Sequence, residues 1–153
     1  MKGYSILELC TVILIVGLLA CFGIPLFDRF LMREEKEIVL QRLEMAIEYA
    51  KQTAFIQQKI ITICPSIDHK TCSSQHWSHG FIIIERGGKL LKVFPKLRYG
   101  TLQFSQFGTD LNIYPNGTTP NNGTFFYFPR LGARREIDGL VVNNIGRTYR
   151  STQ

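Results

Sequence analysis

The sequence predicts an α+β chain: a long N-terminal helix, membrane-spanning in its first half, packed on a strand-rich antiparallel β head. Three observations carry this. No side chain is charged from Leu9 to Phe27. Apolar residues then recur at three- and four-residue steps as far as Ala54. Beyond Gln57 the pattern changes to short β-branched runs separated by Gly, Pro and Asn.

With Tyr4 to Leu7 the first apolar run approaches the ~20 residues that cross a bilayer. Glu8 is its one charge. A carboxylate within a spanning helix costs roughly 2.5–3.5 kcal/mol, so a partner is expected to meet it. A secretory signal would have a shorter apolar core and a small-residue cleavage site, and Ala20-Cys21-Phe22-Gly23 is a poor one. Lys2 ahead of the span orients the N-terminus to the cytoplasm and the head to the periplasm. Pro25 removes a backbone donor and predicts a bend or loosening there. Cys10 and Cys21 read as small packing residues on nearly one helical face.

From Asp28 to about Gln57 a second helical half is predicted, to lie across a sheet. Arg33-Glu34-Glu35-Lys36-Glu37 reads as a solvated charge run, and Ile38/Val39, Leu43, Ala46/Ile47, Ala50 and Ala54 form the apolar stripe. The strand candidates are Lys59–Cys64, Phe81–Glu85, Lys89–Phe94, Thr101–Ser105, Leu111–Tyr114, Thr124–Phe128, Ile137–Asn143 and Ile145–Arg150. Gly87-Gly88 is a hairpin turn, and Pro115-Asn116-Gly117 and Pro120-Asn121-Asn122-Gly123 are further turns. With the first quarter committed to helix, 153 residues leave one head of ordinary domain size, in two packed antiparallel sheets.

A net charge of +6 suits an anionic partner. From Leu97 to the end every base is arginine: Arg98, Arg130, Arg134, Arg135, Arg147 and Arg150. Arginine is the residue for bidentate phosphate contact, and Tyr149 adds an aromatic beside two of them. A solvated, charge-blunted strand edge is the bland alternative. In an oxidising periplasm Cys64 and Cys72 are expected to pair. The rival is a metal site with His69, His76 and His79, which lacks a Cys-x-x-Cys and sits in a polar loop. No nucleophile-and-base motif, P-loop or His-Glu-x-x-His is present, so neither catalysis nor a cofactor is expected.

Gly3-Tyr4-Ser5-Ile6-Leu7-Glu8-Leu9 resembles the processing signal of the type IV pilin and pseudopilin superfamily. Ile63-Cys64-Pro65-Ser66, Cys72, Trp77-Ser78-His79-Gly80-Phe81-Ile82 and Gly146-Arg147 are similar to its GspH/FimT branch. The resemblance implies a leader of residues 1–3 cut after Gly3 by prepilin peptidase, with Tyr4 methylated as the new N-terminus. It implies a transmembrane helix half over 4–27, a periplasmic helix half over 28–57 and a β-rich head over 58–153. Glu8 would recruit the subunit into a filament of other pilins, and Pro25 would mark a stretch that melts on assembly. The implied protein is an inner-membrane, single-pass minor pilin. Some relatives bind DNA for natural transformation through a C-terminal Gly-Arg-x-Arg, which Gly146-Arg147-Thr148-Tyr149-Arg150 approaches with one residue more between the arginines. The candidate DNA contacts are Arg147, Arg150, Arg134, Arg135 and Tyr149. The alternative is a type II secretion pseudopilin, or a structural or priming subunit that binds no DNA.

Overall fold

The computed structural model describes residues 5–73, 76–105, 110–129 and 138–152, without the side chains of 22–26, 28, 29, 32, 33, 138 and 152. Helix α1 runs from Ile6 to Gln57, and eight strands follow: β1 Ile61–Pro65, β2 Phe81–Glu85, β3 Leu90–Phe94, β4 Gly100–Phe104, β5 Leu111–Ile113, β6 Gly123–Pro129, β7 Asp138–Val142 and β8 Thr148–Thr152. The chain divides into two compact units, one ending at Glu34 and one beginning at Glu35.

In the first unit α1 continues unbroken past Pro25. The apolar side chains from Ile6 to Leu19 lie on the surface, Ile6 82% and Leu19 68% exposed. Among the described residues no helix is long and apolar enough to cross a membrane.

In the second unit the helix buries one stripe. Val39, Leu40, Leu43, Ala46, Ile47, Ala50 and Ala54 are all buried, at the three- and four-residue steps that place side chains on one face. Their partners come from two antiparallel sheets, ordered β3-β2-β1-β5 and β4-β6-β7-β8. Ile61, Ile63, Phe81, Ile83 and Ile113 from the first sheet join Leu102, Phe125, Tyr127, Leu140 and Val142 from the second in one core. Alternation is strict where it matters: Leu102 and Tyr127 face each other inside, while Gln103 and Phe126 pair on the outer side.

Two features depart from expectation. A short 3-10 turn, Trp77–His79, precedes β2 and buries the Trp77 ring against Phe81, Phe104 and Phe125. It ends on Gly80, whose φ of +112° and close approach to the Phe94 carbonyl admit no side chain. The strand expected over Ile145–Arg150 begins instead at Thr148. Asn143 holds the backbone of Ile145 and Arg147 through its side-chain oxygen, and Gly146 takes φ +67°, so 143–147 is a turn.

Candidate functional site

Glu8 sits in the first turn of α1, where a negative charge complements the positive end of the helix dipole. Its backbone N–H donates to the Ser5 carbonyl at 3.0 Å, and its own carbonyl accepts from the Thr11 hydroxyl at 2.8 Å. Exposed Ile6, Leu7 and Leu9 surround it in sequence. One acidic group therefore stands on a stretch of helix with no other charge from Ile6 to Phe27. Cys10 and Cys21 are free thiols on the same exposed helix. Gly3 and Tyr4 lie outside the described residues, as does the side chain of Pro25.

Cys64 and Cys72 form a disulfide with Cα atoms 5.5 Å apart. Cys64 is fully buried on β1, and the bridge closes the loop over Ser66–Thr71. Asp68 organises that loop by accepting from the backbone N–H groups of Lys70 and Thr71, each at 2.9 Å, and from the Thr71 hydroxyl at 2.8 Å. The Thr71 and Lys70 N–H groups hold its carboxyl well below the usual carboxylate range. His76 and His79 stand edge to face at 5.6 Å. Among the described residues no group of three or more His, Cys, Asp or Glu is placed to hold a metal ion.

The C-terminal arginines fall into three situations. Arg134 and Arg135 lie outside the described residues. Arg147 is exposed in the 143–147 turn, its N–H bonded to Asn143 at 2.8 Å. Lys51 from α1 lies against the same turn, 3.4 Å from where a Gly146 side chain would begin. Arg150 sits opposite Leu140 on β7, on the helix side of the sheet, and is already engaged. Its guanidinium donates to Glu37 at 2.6 Å and Glu44 at 3.2 Å, and these carboxylates raise its affinity for the proton further. Tyr149, opposite Val141, points the other way and is 54% exposed. The three-residue step between Arg147 and Arg150 thus does not bring the two arginines onto one face. Glu37 and Glu44 are seven residues apart, two helical turns on one side of α1.

Glu35 is not the solvated residue that its place in the charge run Arg33–Glu37 predicts. Its carboxylate accepts from the backbone N–H groups of Arg98 at 2.6 Å and Tyr99 at 2.7 Å, and from the Tyr127 hydroxyl at 3.0 Å. Burial, then the Glu35 charge, pushes the Tyr127 hydroxyl above the usual phenol range. Gly100 makes room, since any side chain there would run into the Tyr127 ring. The available signal was position: Glu35 precedes Val39 by four residues and Leu43 by eight, on the buried stripe.

The sequence model of the family described as Type II transport protein GspH matches residues 39–146. No curated protein matches the chain. Two crystal structures of the Pseudomonas aeruginosa PAO1 type IV minor pilin FimU share the fold at a TM-score of 0.59 and 21% identity. They cover 75% and 78% of this chain, and 91% and 90% of their own. The matched span takes in the buried helix stripe, the disulfide, the first sheet, strands β4, β6 and β7 of the second and the 143–147 turn as far as Gly146, and the chain belongs to the GspH family of the pilin and pseudopilin superfamily.

Proposed function

We propose that the chain is a minor pilin, a filament subunit that works by assembly and surface contact rather than by catalysis. The observation that carries this is the first unit of α1. It presents apolar side chains outward from Ile6 to Leu19 and interrupts them with a single carboxylate, Glu8. An apolar helix with nothing of its own chain to cover it needs lipid or other helices around it. In this reading the leader is cut after Gly3 by prepilin peptidase and Tyr4 becomes the methylated N-terminus. The helix holds the subunit in the inner membrane with the head in the periplasm until Glu8 meets the positive N-terminus of a neighbouring pilin. Pro25 marks the stretch that loosens on packing.

The head contacts DNA in this reading, as a contribution to uptake. Support for it is the net charge of +6 and the outward exposure of Arg147 and Tyr149; Arg150 is bound to two carboxylates and contributes less. A pseudopilin of a type II secretion system is the second reading, favoured by the description of the matching family. Mass spectrometry of the chain from inner membranes and from sheared surface filaments tests the proposal. A mature N-terminus at methylated Tyr4 in both fractions is expected. A chain that keeps Met1-Lys2-Gly3, or never leaves the membrane for filaments of either kind, contradicts it.

A further inference from the structure

Among the described residues, a run of cations without carboxylate partners lies away from the C-terminus of the head. From Arg86 to Thr109 the sequence contains no Asp or Glu, and it carries Arg86, Lys89, Lys92, Lys96 and Arg98. Strand β3 is an edge of its sheet, joined to β2 by a tip at Gly87 and Gly88. Both glycines have positive φ, and a side chain built on either would meet nothing within 4 Å, so the tip stands open. Arg86, Lys89, Lys92, Lys96 and Arg98 are all exposed. Glu85, the acid next to them in sequence, is buried and held by Lys59. Among the described residues no carboxylate pairs with Arg86, Lys89, Lys92 or Lys96.

The contrast with β8 is chemical. There Arg150 is spent on Glu37 and Glu44, and Lys51 beside Arg147 shares its charge with Glu48 at 3.4 Å. An incoming phosphate at β8 would compete with carboxylates already in place. At β3 it would not. Lysines also blunt sheet edges against pairing. That role does not account for Arg86 and Lys89, which flank the tip beyond the β3 strand. It does not account either for Leu90 and Val93, left 40% and 41% exposed on the same edge.

We propose that the β2–β3 hairpin is the nucleic-acid contact of the head, with Arg86, Lys89, Lys92 and Lys96 meeting the phosphate backbone of DNA. This rests on the reading that the head contacts DNA, and it moves the principal contact from β8 to β3. Lys89 and Lys96 are seven residues apart along this edge, at most ~24 Å at ~3.4 Å each, which is the axial length of about seven phosphates of one DNA strand. Lysines act there as point charges and Arg86 as a bidentate fork, so the contact grips the backbone and reads no sequence. Lys92 already lies over the Tyr49 and Phe94 rings, 5.4 Å from each centroid, which holds its ammonium on the helix side of the edge.

The test is fluorescence anisotropy of a short labelled DNA duplex with the full chain in neutral detergent, over a salt series. The variants are Arg86→Ala/Lys89→Ala/Lys92→Ala, the charge-keeping Lys89→Arg/Lys92→Arg, and Arg147→Ala, each checked by thermal unfolding. The proposal expects the slope of log affinity against log salt to fall by about 0.9 for each cation removed. It expects the arginine variant to bind like the parent and Arg147→Ala to lose less than the triple variant. Should the triple variant fail to fold, the single variants Arg86→Gln and Lys89→Gln carry the same expectation of about 0.9 each. Binding that persists unchanged in folded hairpin variants overturns this inference and leaves DNA contact standing elsewhere. No binding by the parent chain overturns both. Polyglutamate that binds the parent chain more tightly than DNA of equal charge, and loses that preference in the triple variant, assigns the hairpin to an acidic protein surface and overturns the nucleic-acid partner.

Discussion

The first unit of the chain and the second use apolar residues in opposite ways. From Ile6 to Leu19 the apolar side chains are on the outside, with Leu14 63% exposed and no sheet of their own to cover them. From Glu35 onward α1 is amphipathic and its stripe is wholly buried, with Leu43 at 0%. The head therefore draws its stability from the second half of the helix, whereas the first half contributes surface. In the function proposed above, lipid or neighbouring subunits complete that first half.

The comparison breaks most readily in the core. Leu43→Ala is expected to lower the stability of the head by about 2–5 kcal/mol, through lost transfer energy and the cavity left behind. Leu14→Ala, on the exposed stretch, is expected to stay within about 0.5 kcal/mol. Thermal unfolding of both variants checks this, and equal losses would remove the distinction between the units.

Within the head, the Cys64→Ser/Cys72→Ser pair releases a closed loop and is expected to cost about 2–3 kcal/mol. Unfolding with and without reductant measures it, since reductant should destabilise the parent and leave the double variant unmoved. Glu35→Ala removes the acceptor from two backbone N–H groups and a buried hydroxyl, an expected loss of about 1–3 kcal/mol. Tyr127→Phe deletes one of those donors together with its need for a partner and should cost less.

The smallest effect is pH-dependent. Because Asp68 is held ionised by loop N–H groups, its folded-state value lies below that of the unfolded chain. Its contribution is therefore present above the usual carboxylate range and is lost as pH falls through the lowered folded value. Asp68→Asn should reduce stability slightly near neutrality, and the difference from the parent should vanish in strong acid. A gap that stays constant over the whole acid limb would show that Asp68 works by shape alone.

Much of the head was legible because periodicity is local. The β-branched runs at Ile61–Cys64 and Phe81–Glu85 and the Gly87-Gly88 tip announce a hairpin without any tertiary information. Ala46, Ala50 and Ala54 likewise announce a helix face that meets a sheet closely. What stayed hidden depends on partners far along the chain. Glu35 finds Tyr127 across a separation of 92 residues, and Arg150 finds Glu37 across 113. Composition counts cations and acids and cannot see which of them meet. The Trp77–His79 turn was hidden for a related reason, since its three residues are too few to display a period.

The role proposed for Glu8 in assembly is decided by filament incorporation of Glu8→Val. Membrane-inserted and sheared-filament fractions would be probed for the chain beside its parent. The account predicts that the variant reaches the membrane at parental levels or above, because a costly carboxylate is gone, and is missing from filaments. Parental amounts of the variant in the filament fraction would contradict it.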